Sequence, residues 1–498
     1  MELTFFSSVG WDSWDVEARP AVPDRMPVLV DDDLLFDDGR GPRPSVAVNR
    51  WLRELPTSGA PAPGTWAVYA RVLRDWMVFC EEHGTGIFGG REDLRAVLGA
   101  YAAYRAEGPE RARLEATTWN QHMSVLSSFY QWAVAEGHAV AVPFTYAQAQ
   151  VRYGDVRRDV RVNLARRRVP KRHVTIRYLE ADFAGLFIAA LGGLGPDGMP
   201  DSGYHGRELA RNAAVGKLAL ASGLRRQEFT YLLAYEVPLP PSSRGKLPVP
   251  FPVPAGVTKG RKFRTTWIDH ESLEAVHQYA GLDRAAATDG SPWLPPREWG
   301  EPLTVTEPDA SGGRVNGRRV RWDKLVPGQR RRLVAPGGGS CLLAVRSDGG
   351  PFTAWESVFT RASDRIRRRF EPRFPHVHPH RLRHSFALAT LERLVSGYYA
   401  QAAGLVTATG RGGGPDAALA LYLAKSDPMM VLRDLLGHSS VVTTEAYLRR
   451  LDMTRIYADA YERAGRDAGL ISADAQREAD EEFEDEGQAS AGSGGGEG

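Results

Sequence analysis

One stretch constrains this chain more than any other: Leu436-Gly437-His438-Ser439-Ser440-Val441-Val442-Thr443-Thr444-Glu445-Ala446-Tyr447. Two earlier pieces complement it. Pro379-His380-Arg381-Leu382-Arg383-His384-Ser385-Phe386-Ala387 lies upstream, and Ser222-Gly223-Leu224-Arg225-Arg226-Gln227-Glu228 lies further back. Together they include Arg225, His380, Arg383, His438 and Tyr447, in that order. A metal-free phosphoryl-transfer site needs this inventory: cations for the phosphate, proton carriers and a hydroxyl nucleophile. A fold that uses them must bring three distant segments to one place.

The 498 residues suffice for two or three domains. A hydrophobic content of 43% with 25% charged residues is ordinary for a soluble globular chain. No apolar run reaches the length of a membrane span. The N-terminus lacks the basic start and apolar core of a secretion signal. Cys80 and Cys341 lie far apart without metal-ligand spacing, so a cytoplasmic location is expected. The net charge of +2 hides an asymmetry. Residues 471–498 carry nine acids against one Arg, and residues 1–40 ten against three, which leaves about +17 between them. A basic body between acidic ends suits a polyanion-binding protein.

Residues 1–45, rich in Pro and Asp, read as an acidic, irregular extension. From Thr65 apolar positions recur at helical spacing (Val68, Tyr69, Val72, Leu73, Trp76, Phe79). Helices over 93–106 and from Ala116 complete a helical domain at 46–150. Residues 151–177 read as a basic linker. Arg157, Arg158, Arg161, Arg166, Arg167, Arg168, Lys171 and Arg172 lie within the sixteen residues 157–172, with only Asp159 opposing. The linker is either plainly solvated or a strap across a phosphate backbone, adding affinity that falls steeply with salt. A second domain, 178–470, reads as mixed α+β. Helices are expected at 179–191, 208–221, 355–370, 380–394, 429–436, 443–449 and 454–464. A short antiparallel unit has one strand near 264–268, and 284–350 read as long loops. Residues 471–498 read as an acidic, Gly/Ser-rich, disordered tail. The fold class is therefore mainly α with a small antiparallel β-sheet.

Taken singly, each site residue has a plain structural reading: a helix-start salt bridge for Arg225 with Glu228, a capping or core residue for His438, core for Tyr447. Taken together they point to phosphate chemistry. Arg suits the role better than Lys because its planar fork binds two phosphate oxygens at once. His380 and Arg383, three apart, share one face of a helical turn. His376, His378, His380 and His384 raise the alternative of a metal site. No Glu follows His380 as in H-E-x-x-H and no acid is close, so neither metal nor cofactor is expected. A phenol with a pKa of about 10 needs cationic neighbours to become a competent nucleophile.

The three pieces resemble the tyrosine recombinase, or phage-type integrase, family. The match covers roughly Arg225 to Tyr447, and the L-G-H-S-S-x-x-T-T-x-x-Y string with its H-x-L-R-H partner is highly specific. The helical region upstream, with Thr117-Thr118-Trp119-Asn120-Gln121-His122-Met123-Ser124, looks like the core-binding half of that family's DNA clamp. The resemblance implies a helical core-binding domain followed by a mixed α+β catalytic domain. It implies Tyr447 as nucleophile, forming a 3′-phosphotyrosyl bond to DNA, with Arg225 and Arg383 clamping the phosphate. His380 would carry a proton and His438 hydrogen-bond the scissile phosphate. Thr258-Lys259-Gly260-Arg261-Lys262-Phe263-Arg264 resembles the family's Lys-bearing hairpin turn. Lys259 would be the general acid, with Lys262 as the second candidate or a backbone-phosphate contact.

The implied partners are double-stranded DNA, a homotetramer on two duplexes built from monomers or dimers, and accessory proteins; no membrane, metal or ATP is implied. The segment 452–470 would be exchanged between neighbours. The chain's length, its acidic ends and its insertions at about 284–345 and 395–427 favour a mobile-element integrase or transposase-like recombinase. The alternatives are a type IB topoisomerase-like enzyme and a catalytically inactive DNA-binding protein on the same fold. One departure is mild: Ala221-Ser222-Gly223-Leu224-Arg225 stands where Thr-Gly-Leu-Arg is commoner.

Overall fold

The computed structural model describes residues 1–8, 21–39, 41–60, 62–153, 156–169, 177–241, 248–409, 428–438 and Thr444. The chain divides into two compact units, Met1–His173 and Val174–Gly498. Helices with small sheets make up both; the mainly α class is as the sequence predicts, the sheets of the first unit are not.

In the first unit the helices Pro44–Glu54, Pro63–Glu82, Arg91–Glu107 and Ala116–Ala135 enclose an aromatic core. Proline begins the first two, where its missing N–H costs nothing. Trp76 Nε1 donates to Tyr130 OH (2.9 Å), whose hydroxyl donates in turn to Ile87 O (2.9 Å). Both buried polar groups are thereby satisfied.

Two expectations change here. The N-terminal residues are not wholly irregular: Glu2–Phe5 pairs antiparallel with Pro27–Val30. The Asn49 amide fixes that strand to the first helix, bonding Leu29 N and Leu29 O at 2.8 Å each. Residues 146–163, split on sequence between a helical domain and a linker, form one antiparallel hairpin, Tyr146–Tyr153 with Val156–Asn163. Alternation of Val156, Val160 and Val162 with polar residues is the period-two signal that produces it.

In the second unit the helices Ala181–Leu191, Leu209–Ser222, His270–Tyr279 and Trp355–Arg369 and the hairpin Val249–Val253/Arg264–Ile268 share one core, around Phe187, Leu218, Phe251, Ile268 and Trp355. The helix Pro379–Thr409 meets Pro428–Leu436 through Leu391, Leu432 and Leu436. It runs well beyond the expected end at 394; the remainder of the second insertion, 410–427, lies outside the described residues.

The first insertion is not a set of loops. Leu303–Thr306, Gly312–Val315, Arg318–Arg321 and Leu333–Val334 form a four-stranded sheet over its own small core, including Trp322 and Leu342. Its turn, Asn316-Gly317, has positive φ at both positions (46° and 83°), as a tight hairpin demands. Strands of four residues or fewer are too short to show a period in sequence. Of the expected helices after 438 only Thr444, which is helical, is described; the rest and the tail, 471–498, lie outside the described residues.

Candidate active site

The helix Leu209–Ser222 ends at Gly223, whose φ of 63° is left-handed. A side chain there would also collide with the ring of Phe386, so conformation and space both require glycine. Arg225 then becomes extended and begins the short helix Arg226–Thr230. Its main-chain N–H donates to Glu228 Oε2 (2.7 Å) and its Nη1 to Glu228 Oε1 (3.1 Å).

Glu228 is 1% exposed. Its two oxygens also accept Arg264 Nη1 (2.7 Å) and Nη2 (2.6 Å), the parallel fork that makes Arg–carboxylate pairs strong. Burial alone would raise the Glu228 pKa. The bonds and charge of Arg264, with the Arg225 N–H and charge, outweigh it and hold the carboxyl below its ordinary range.

Arg383, 2% exposed, comes from the helix Pro379–Thr409. Its Nη1 donates to Gly223 O (2.6 Å) and its Nη2 to Leu436 O. His380 and His384 are one turn apart on that helix, rings edge to face at 4.8 Å. His380 is open to solvent on one side. Desolvation on the other, then Arg383, His378 and Arg225, lower its pKa. Burial, then His380 and Arg383, push His384 down to about 4.

The helix Pro428–Leu436 closes in a Schellman motif. Gly437 N–H donates to Asp434 O (3.0 Å) and His438 N–H to Arg433 O (3.0 Å), with Gly437 at φ 62°. The Leu-Gly-His string is therefore a helix stop that fixes where His438 begins. The last carbonyls each accept an arginine from a different segment. Leu435 O takes Arg264 Nε (3.0 Å), Leu436 O takes Arg383 Nη2, and Gly437 O takes Arg225 Nη2 (3.3 Å). These carbonyls lack partners within the helix and form its negative pole, so cations are favoured there. A Cβ on Gly437 would lie 2.9 Å from Arg264 Cδ, so Arg264 passes only because residue 437 is glycine.

His438 Nδ1 lies 3.0 Å from Oγ1 of the fully buried Thr444. Burial, then Arg383, Arg225, Arg264 and His380, push its pKa down to about 4. At neutral pH the ring is uncharged and carries one N–H to donate.

The structure thus brings Arg225, His380, Arg383 and His438 together. Lys259 and Lys262 sit on the connection between the hairpin strands, both exposed. Gly260 and Arg261 turn it with φ of 79° and 53°, and Thr258 Oγ1 donates to Lys262 O (2.8 Å). Neither lysine bonds to the arginine group. Tyr447 lies outside the described residues. Sequence reasoning missed Arg264, treating it only as a strand residue. A signal was present: Arg264 shares a strand face with the buried Thr266 and Ile268, and a charge on a buried face needs a partner.

The basic segment of the first unit is not uniform. Arg161, Arg166 and Arg168 are exposed, Arg161 stacking on the Tyr146 ring at 4.1 Å. Arg167 is different: it donates to Ala102 O (2.7 Å), Leu114 O (3.1 Å) and Arg105 O (3.3 Å) and covers Trp119 at 4.5 Å. Its guanidinium is taken up by these carbonyls and the Trp119 ring, where the sequence alone shows one more linker cation. The side chains of Arg157 and Arg158, and all of Lys171 and Arg172, lie outside the described residues. Among the described residues no three His, Cys, Asp or Glu side chains come together as metal ligands, and no helix is long and apolar enough to cross a membrane.

Residues 48–137 match the phage integrase, N-terminal SAM-like domain. Three solved structures are similar. XerA recombinase shares 16% identity over 82% of this chain and 95% of its own, with a TM-score of 0.31. XerH site-specific recombinase bound to difH substrate, a pre-cleavage complex, shares 14% over 74% and 69%, with a TM-score of 0.37. The Tn1549 transposon integrase in complex with transposon right end DNA shares 12% over 82% and 99%, with a TM-score of 0.42. No curated protein matches the sequence. The family match is confined to the N-terminal domain at residues 48–137, while the motifs of the second unit resemble those of the tyrosine recombinase, or phage-type integrase, family.

Proposed function

We propose that this chain is a site-specific DNA recombinase that cuts and rejoins strands through Tyr447. The phenolic oxygen of Tyr447 attacks a DNA phosphorus and the bond to the 5′-oxygen breaks, leaving a 3′-phosphotyrosyl link. The phenolic proton passes to His380, and Lys259 protonates the leaving 5′-oxygen. Attack by a 5′-hydroxyl of a partner strand reverses these steps. Arg225 and Arg383 neutralise charge on the five-coordinate phosphorus, and neutral His438 donates to one of its oxygens. The covalent intermediate conserves the bond energy, so the reaction needs no ATP.

The observation that supports this reading most is the meeting of Arg225, Arg383 and His438 around the end of helix Pro428–Leu436. A phosphate there would face fixed donors, which stabilise a transition state without reorganisation. The working assembly is proposed to be a homotetramer on two duplexes, serving a mobile element and aided by accessory proteins. The site of action is the cytoplasm, on the chromosome.

The test is covalent capture of DNA by the full-length chain in cells, wild type against Tyr447→Phe, with sequencing of what is captured. Capture at discrete sites that vanishes in the variant is expected. Capture without sequence preference would instead favour a topoisomerase-like activity. DNA binding with no covalent product would favour an inactive binding protein.

A further inference from the structure

Among the buried arginines of the second unit, Arg381 stands apart in having no side-chain acceptor or ion-pair partner among the described residues; Arg365 also leaves Nε and Nη1 without hydrogen bonds but keeps Ala190 O and lies 3.9 Å from Asp201. Arg330 is paired with Glu236 through Nη1 (2.5 Å) and Nη2 (2.8 Å). Arg211 donates to Val345 O (2.9 Å), Arg365 to Ala190 O (2.5 Å) and Arg383 to Gly223 O (2.6 Å). Arg381, 8% exposed, makes no side-chain hydrogen bond or ion pair among the described residues, and its Nε is buried without a partner.

Its position makes this stranger. Arg381 is the third residue of the helix Pro379–Thr409, at the positive pole, where a cation is disfavoured. Its neighbours add cations. Burial, then the charge of exposed Arg177, lower the Arg381 pKa. His378 is likewise lowered by burial, then by Arg381, His376 and Arg177. The one acid acting on His378, Glu356, is already held by Arg226. A largely buried cation with no described counter-ion and an Nε without an acceptor is unfavourable, and an anion reaching its guanidinium would offset that cost.

We infer that Arg381, seconded by Arg177, forms an anion subsite that takes a DNA backbone phosphate other than the one held by Arg225 and Arg383. Two residues apart on a helix, Arg381 and Arg383 project about 200° from each other, so one phosphate cannot serve both. This inference rests on the reading of the chain as a DNA-acting recombinase.

The probe is a 30-base-pair duplex of random sequence, so no target site is needed. Binding by the full-length chain is titrated across salt concentrations for wild type, Arg381→Met and Arg381→Lys, beside the melting temperature of each free protein. Met keeps the buried stem and removes the charge. The inference predicts that Arg381→Met binds roughly three- to tenfold more weakly at low salt, with a salt slope shallower by about 0.9. It predicts that Arg381→Lys keeps the wild-type slope. It also predicts that the free Met variant melts at or above the wild-type temperature, because a charge with no partner has been removed. An unchanged slope in Arg381→Met, or weaker binding accompanied by a lower melting temperature, overturns it. Failure of the wild type itself to bind the duplex would sink the DNA reading as well, which a change confined to the variant cannot do.

Discussion

The arginine cluster and the lysine turn of the second unit are built in opposite ways. Arg225, Arg264 and Arg383 are held by a buried carboxylate and by main-chain carbonyls that accept from them at 2.6–3.3 Å where the lengths are ordinary. Lys259 and Lys262 ride on an exposed turn and bond to none of these groups. Groups proposed to clamp a phosphate gain from being fixed in advance. A proton donor must instead reach an oxygen that leaves, and a turn allows that reach. Arg264 joins the two designs, because it begins the strand that leaves the lysine turn and bonds both Glu228 and Leu435 O.

The largest effect that would break the contrast is Arg383→Ala. On the duplex recovered by covalent capture, single-turnover cleavage is expected to fall by about 10²–10³. A urea melt is expected to show a loss of about 2–4 kcal/mol, since the Gly223 and Leu436 carbonyls lose their donor. Lys259→Ala sharpens the contrast from the other side: cleavage falls by about 10² while the urea midpoint stays at the wild-type value. Loss of stability in that variant would mean the turn is structural. Glu228→Gln is expected to lower unfolding free energy by about 3 kcal/mol, because it leaves Arg264 without its charge partner. Its urea midpoint should fall well below that of Lys259→Ala.

The smallest expected effect is a pH dependence. His384 and His438 have folded pKa values of about 4, below the unfolded value of 6.5. The unfolded chain therefore binds more protons between those limits, and stability drains away as pH falls from 6.5 towards 4. Glu228, whose folded pKa is also depressed, contributes stability present above its unfolded value of 4.5 and lost as pH falls through the folded one. Urea melts across this range should show His438→Gln with a shallower decline than wild type between pH 6.5 and 4; an identical decline would contradict the placement of that ring among the arginines.

Much of the site is legible in the sequence because local rules write it there. Gly437 before His438 marks a helix stop, Gly223 before Arg225 another, and His380 with Arg383 a shared helical face. The Arg264 role is invisible locally, since its partners stand 36 and 171 residues away. The same holds for Arg167, which reads as one more linker cation until Ala102 O and Leu114 O accept from it. The inserted sheet escaped because strands as short as Leu333–Val334 carry no readable period. What sequence shows well is where backbones must turn; what it hides is which buried charge answers which distant group.

The most direct measurement is nuclease digestion of the captured protein–DNA complex, followed by mass spectrometry of its tryptic peptides. The account predicts a nucleotide joined through its 3′-phosphate to Tyr447, with free 5′-hydroxyl ends on the released DNA. An adduct on any other tyrosine, or released ends bearing 5′-phosphate, would contradict it.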